Sequence, residues 1–287
     1  MAVAENKILI IGQGYIGQRC ATAWPQAKTS TQRIESVADA LAVIDEFKPA
    51  SVLNAAGIVG KPNVDWCDEH PWETIAGNTI LPLQIARACQ IRKIYLLHIG
   101  SGCIYYGQSP EPKGWREDDF ANPVPAYTRA KYAADLTLTT LPNVGIARIR
   151  MPLDSRPGDK NIVDKLVSYP KIIDVKNSLT VVDDMIEVFR QLLEKQAPGI
   201  FHVTNPGYIS HREILDLYRE LVDPNLPVKE WLSEDDLVKA GLAKKKRSSN
   251  ILQSANLEKV GIKMRPARAA VTRAMEKYAR LKKSKKP

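Results

Sequence analysis

Lys7-Ile8-Leu9-Ile10-Ile11-Gly12-Gln13-Gly14-Tyr15-Ile16-Gly17 is the stretch on which the reading of the whole chain turns. The apolar run to Ile11 does not alternate with polar residues, which is the pattern of a strand covered on both faces of a parallel sheet. The three glycines then fall at G-x-G-x-x-G spacing, ahead of a helical stretch ending near Trp24-Pro25, the context a dinucleotide-binding turn requires. Gly12 permits the tight turn, Gly14 lets a pyrophosphate approach the backbone, and Gly17 lets helix and strand pack closely. Tyr15 and Ile16, inside the turn, join them as candidate cofactor contacts. A glycine-rich turn without a ligand has the same spacing; its place after the first strand favours the cofactor.

Outward from this turn, strand and helix alternate. Thr29–Thr31 reads as a second strand, Val37–Phe47 as an amphipathic helix and Ser51–Asn54 as a third strand. One long helix is expected from about Pro71 to Gln90, then a strand at Ile94–Ile99, a helix at Pro125–Leu141 and a strand at Val144–Arg150. This order predicts an α/β fold, a Rossmann-type doubly wound parallel sheet. Residues 1–152 are expected to form the dinucleotide-binding domain, with 177–205 returning to it through a helix at Val181–Gln196 and a strand at Ile200–Val203. Residues 153–287 are expected to supply a smaller substrate-binding lobe, with helices near Ser210–Val222, Ser233–Ala240 and Pro266–Leu281.

Composition bounds the function. The 287 residues are 44% hydrophobic and 25% charged, as in an ordinary globular protein. No apolar run nears the roughly 18 residues that span a bilayer, so no membrane partner is expected. The start of the chain lacks the pattern of a secretory leader, which predicts a cytoplasmic protein. Four cysteines and four histidines lie scattered, so neither a disulfide scaffold nor a metal site is expected. Of the net charge of +9, most resides in Lys244–Arg247 and in the Lys282–Lys286 run. Such local basicity is not a face that tracks nucleic acid.

Two further stretches carry chemistry. After the second strand, an acid would select NAD through the ribose 2′-hydroxyl, whereas arginine and hydroxyls suit a 2′-phosphate. Ser30, Thr31 and Arg33 therefore favour NADPH. Glu35, the nearby acid, is expected to lie past the binding edge; if Arg33 is merely solvated, Glu35 selects NAD instead. Tyr127 and Lys131 stand at i and i+4 on one helix face, 26 residues beyond Ser101. A phenol is a poor acid at neutral pH, and an adjacent ammonium is expected to lower its pKa.

The glycine turn, Asn54-Ala55-Ala56-Gly57, Ser101 and YxxxK together resemble the extended short-chain dehydrogenase/reductases. A narrower resemblance, to the nucleotide-rhamnose synthases of plants and large viruses, covers nearly the whole chain. It rests on Gly60–Cys67, Ser101-Gly102-Cys103-Ile104, Arg148-Ile149-Arg150-Met151-Pro152, Thr204-Asn205-Pro206-Gly207 and Arg247-Ser248-Ser249-Asn250. The resemblance implies NADPH-dependent 3,5-epimerisation and 4-keto reduction of a nucleotide 4-keto-6-deoxy sugar. It assigns Ser101 to the 4-keto oxygen, Tyr127 to proton delivery, and Lys131 to the nicotinamide ribose. Cys103 matches the epimerisation base and Lys165 its partner acid. Asn54, Ala55 and Ala56 join the cofactor contacts; Asn63, Asp65, Asn161, Asn205 and Arg247 join the substrate contacts. A cysteine after a central strand is more often inert packing, a lysine on a helix more often solvated, and Asn63 or Asp65 could equally cap a helix. The chain departs from the family's G-x-x-G-x-x-G turn, and its segment between Cys103 and Tyr127 is shorter than in the plant members. A homodimer is the candidate assembly. The competing readings are a reductase without epimerase activity and a non-catalytic nucleotide-binding subunit.

Overall fold

The computed structural model describes residues 7–61, 63–242 and 248–284. Six parallel strands form the central sheet: β1 (Ile8–Ile11), β2 (Lys28–Ser30), β3 (Ser51–Asn54), β4 (Tyr95–Ser101), β5 (Val144–Ile149) and β6 (Gly199–Val203). Their spatial order is β2-β1-β3-β4-β5-β6. The chain leaves β1 outward to β2 and then crosses back to β3, so the order reverses between β1 and β3. Ligands of open α/β sheets bind beyond the strand carboxyl ends at such a reversal.

The unbroken apolar run of β1 follows from its place in this sheet. Ile8 and Ile10 face one layer, with Cys20, Trp24, Val182, Phe189 and Leu193. Leu9 and Ile11 face the other, with Val43, Ile44, Ile85, Ala134 and Leu138. The first layer comes from helices α1 (Tyr15–Ala23) and α6 (Val182–Lys195), the second from α2 (Val37–Phe47), α3 (Leu81–Ile91) and α4 (Ala126–Leu138). Period-2 side-chain alternation buries both faces of every central strand.

The long helix expected at 71–90 is interrupted. Pro71–Ile75 is α-helical, Ala76–Ile80 is a π-turn, and α3 begins at Leu81. Pro82 explains the break, since it has no amide to bond the carbonyl of residue 78 and its ring crowds that carbonyl. Asn78 uses the widened turn. Its Nδ2 donates to Ile58 O (2.8 Å) and Thr74 O (3.1 Å), and its Oδ1 accepts from Ile58 N (3.1 Å). The loop after β3 is thereby pinned to the helix.

A separate core gathers Val163 and Leu166 from α5 (Ile162–Ser168), Ile214 and Tyr218 from α7 (His211–Leu221), and Val271 and Met275 from α8 (Ala267–Lys283). A buried ion pair ties α1 to the segment after β5: Arg19 Nε stands 2.5 Å from Asp154 Oδ2. One part of the expected lobe belongs to the other layer system, since Leu257 and Ile262 pack into the core around α6. Residue 252 likewise pairs with Trp115 in an isolated parallel bridge. Among the described residues, no helix is long and apolar enough to cross a membrane.

Candidate active site

At the β1–β3 reversal the glycines are held by contact. Gly12 has φ +101°, and a Cβ on it would stand 2.4 Å from Ala56 N. A Cβ on Gly17 would stand 1.9 Å from Gly12 O, so only glycine fits where α1 passes over the turn. Gly14 differs: a Cβ built on it meets nothing within 4 Å, and α1 begins there without a side-chain cap. Open approach to uncapped helix amides is what a pyrophosphate group requires. The residues present thus fit a dinucleotide.

A cleft of about 580 Å³ opens from this turn, lined on one side by Gly12, Ser30, Thr31, Arg33 and Ala56. Glu35 lines the same cleft, against the expectation that it lies past the edge. Its Oε1 is 2.7 Å from Arg33 Nε, the two side chains being 65% and 87% exposed. The short β2 ends at Ser30, so the chain turns back along the cleft and brings both charges to one rim. The opposite wall, Ile58, Trp72, Ala76 and Leu81, escaped the sequence reading. The proline at 82, which breaks the helix carrying it, was the available signal.

Three expected cofactor contacts are engaged elsewhere. Tyr15 OH donates to Asp154 Oδ2 (2.6 Å) and Ile16 packs on the core beside α6. Asn54 is buried at the end of β3, where its Oδ1 accepts from Ala56 N (3.0 Å) and its Nδ2 meets His98 Nδ1 (3.1 Å). Asn54 therefore shapes the turn carrying Ala55 and Ala56, and only Ala56 of these lines the cleft.

Ser101 ends β4, and its Oγ accepts from Cys103 N (3.2 Å), turning the chain back under the sheet edge. Tyr127, in the first turn of α4, stands close enough to Ser101 for the serine side chain to ease its ionisation. One turn on, Lys131 is buried and its Nζ donates to Ile99 O (2.9 Å). A Cβ on Gly57 would stand 3.5 Å from that Nζ, so Lys131 reaches the turn that follows β3. Burial draws the Lys131 ammonium down to about 8, against the pull of Asp135 one turn further along α4. The expected acidification of Tyr127 by its lysine is not what the structure shows. Burial pushes the phenol above its ordinary value, the neighbouring Cys103 adds to that, and Ser101 offsets part of it.

Cys103, Tyr127, Arg150, Met151, Ile162 and His211 surround a second cavity of about 260 Å³. Cys103 is the half-buried cysteine among four free ones; the other three are buried. Its Sγ accepts from Arg150 Nη1 (2.8 Å). Arg150 is itself buried, its Nη2 donating to Asn177 Oδ1 (2.5 Å) and to the Ser248 carbonyl. In the sequence Arg150 stands out only as part of Arg148–Pro152; its place beside Cys103 follows from the approach of β5 to β4.

The remaining candidates are spread out. Lys165 is exposed on α5, which turns Val163 and Leu166 inward and sends Ile162, not Lys165, to the cavity wall. Asn161 is fully buried: its Oδ1 accepts from Val163 N and Asp154 N, and its Nδ2 donates to the Asp154 and Arg156 carbonyls. It caps α5 and leaves no group for a substrate. Asn205 is likewise consumed, bonding Val181 N, Asp184 Oδ2 and Arg265 O. Asn63 closes an Asx turn onto Asp65 N (2.8 Å), and Asp65 heads the short helix Trp66–Glu69. From that loop Val64 reaches the cavity. Arg247 lies outside the described residues.

Parallel sheet, glycine turn and the Ser101, Tyr127 and Lys131 cluster beside it define an enzyme of the short-chain dehydrogenase/reductase type. Residues 7–280 match the family described as RmlD substrate binding domain, and the chain belongs to that family. It is 32% identical over 251 residues to a bifunctional dTDP-4-dehydrorhamnose 3,5-epimerase/dTDP-4-dehydrorhamnose reductase of Arabidopsis thaliana, covering 85% of this chain and 82% of that one. The crystal structure of the L780 UDP-rhamnose synthase from Acanthamoeba polyphaga mimivirus is similar at TM-score 0.87 and 28% identity, over 94% of this chain and 99% of that one. A dTDP-4-dehydrorhamnose reductase from Bacillus anthracis, solved in complex with NADP, shares the fold at TM-score 0.78 and 20% identity, over 95% and 97% of the two chains.

Proposed function

We propose that this enzyme uses NADPH to convert a nucleotide 4-keto-6-deoxy-glucose to the nucleotide L-rhamnose, epimerising C3 and C5 before reducing C4. The observation that carries the reading is the meeting of Ser101, Tyr127 and Cys103 one helical turn from Lys131, with Cys103 and Tyr127 on the wall of the smaller cavity and a separate cleft opening from the glycine turn. Similarity to a UDP-rhamnose synthase and to a plant epimerase/reductase supports it. The bound nicotinamide supplies the hydride for C4. Ser101 and Tyr127 hold the 4-keto oxygen, and Tyr127 gives it a proton; Lys131 orients the cofactor ribose. A 4-keto group acidifies the protons on C3 and C5, which the Cys103 thiolate beside Arg150 removes. Lys165, exposed one turn beyond Ile162 on α5, is proposed to return the proton from the opposite face.

Incubation with UDP- or dTDP-4-keto-6-deoxyglucose and NADPH tests the reading; absence of both NADPH oxidation and a rhamnosyl product overturns it. Cys103→Ala is expected to abolish solvent-deuterium incorporation at C3 and C5 while sparing reduction of a pre-epimerised ketone. The exposure of Lys165 favours a second reading, reduction alone. Wild-type protein that incorporates no deuterium would establish that alternative.

Arg33 supports NADPH over NADH, since a 2′-phosphate need only displace Glu35 from an exposed ion pair contributing about 0–1 kcal/mol. Arg33→Ala is expected to raise the KM for NADPH by about tenfold to a hundredfold, the loss of a charge-assisted hydrogen bond, with little change for NADH. Equal effects on both coenzymes would refute the assignment.

A further inference from the structure

His211 belongs to none of the expected sites, yet it lines the cavity that holds Cys103, Tyr127 and Arg150. It is the first residue of α7 and is 8% exposed. Its backbone is fixed by a capping box, in which Ser210 Oγ accepts from Glu213 N (3.1 Å) and Glu213 Oε2 accepts from Ser210 N (2.9 Å). Its Nδ1 lies 2.9 Å from Ile173 O. A carbonyl oxygen only accepts, so Nδ1 carries the proton and Nε2 of the neutral ring presents a lone pair. That Nε2 is buried and has no hydrogen-bond partner among the described residues. An unpaired buried acceptor costs about 1–3 kcal/mol, so a persistent one calls for a ligand.

We propose that His211 Nε2 accepts a hydrogen bond from a hydroxyl of the substrate's sugar ring, which makes His211 a substrate-binding residue that fixes how the sugar lies against Cys103 and Tyr127. This rests on the sugar nucleotide reading above. The ligand group must be a donor, which excludes the diphosphate and the keto oxygen; on the sugar ring that stands against Cys103 and Tyr127 it leaves the C2 and C3 hydroxyls. Burial and the Arg150 guanidinium hold the imidazole below its ordinary pKa, so it stays neutral and accepting. The same two causes disfavour the protonated ring that a proton-donating role would need.

Steady-state kinetics with NADPH and the 4-keto-6-deoxy sugar nucleotide provide the test. His211→Phe keeps the ring volume without the acceptor; His211→Gln returns an acceptor near the Nε2 position. His211→Phe is expected to raise the KM for the sugar nucleotide about tenfold to a hundredfold and leave that for NADPH unchanged, with His211→Gln recovering most of the difference. A 2-deoxy or 3-deoxy substrate, whichever lacks the bonded hydroxyl, should bind wild type and His211→Phe equally weakly. The proposal is overturned if wild type binds both deoxy substrates as tightly as the parent, a result that needs no variant to fold. It is equally overturned if His211→Phe weakens parent and both deoxy substrates alike, the mark of a structural role. A wild-type enzyme that turns over no sugar nucleotide sinks the functional reading itself.

Discussion

Replacing Tyr127 with phenylalanine is expected to slow carbonyl reduction by about two to four orders of magnitude, the usual contribution of a positioned general acid. The loss should fall on kcat, because phenylalanine keeps the ring in the cavity wall and removes only the proton donor. The phenol is held above its ordinary pKa, so Tyr127 remains protonated across the working range and its own ionisation sets no limit there. The limit comes from Lys131, whose charge is lost near pH 8. The wild-type rate of reduction should therefore be flat below that value and fall above it. A Tyr127→Phe enzyme with kcat within threefold of wild type would remove Tyr127 from the chemistry.

The largest stability effect is expected from Asp135→Ala. Asp135 is fully buried on α4, and its Oδ2 stands 2.7 Å from Nε of an equally buried Arg148 on β5. Nη1 of that arginine also donates to Tyr105 OH (2.7 Å) and to the Glu117 carbonyl (3.2 Å). Removing the carboxylate strands the guanidinium in the core, which costs about 3–5 kcal/mol when a buried pair loses one member. Denaturant unfolding measures the loss as a lower midpoint. Asp135→Leu combined with Arg148→Met removes both charges and should regain most of it, since well-packed apolar residues often replace a buried pair without cost. A single Asp135→Ala change costing under 1 kcal/mol would mean that the pair is hydrated in solution. If the variant folds, its reduction should also fail at lower pH, because Asp135 supports the charge on Lys131.

Strand and helix order was legible because β1, β3 and β4 are buried on both faces and must read as apolar runs. The glycine turn and the Tyr127–Lys131 spacing were legible because each is local, resting on φ, ψ and helical repeat. What escaped is set by packing between distant segments. The π-turn needs Asn78 and the loop at Ile58 together; the Cys103–Arg150 contact needs adjacent strand ends; His211 reaches the cavity only because α7 folds back beneath it. Asn161 and Asn205 misled for a related reason: asparagine at a strand or loop end satisfies buried backbone as readily as it binds a sugar. Charge was equally hard to read, since burial governs Tyr127 more than its neighbouring lysine does.

The rim after β2 has one more implication. Thr31, Gln32, Arg33 and Glu35 are all exposed, and none belongs to a packed core. Exchanges at such positions usually alter stability by no more than about half a kcal/mol. Coenzyme selection, if it lies at this rim as proposed, can thus drift, or be re-engineered, on a lineage's own schedule while the folded scaffold is left untouched.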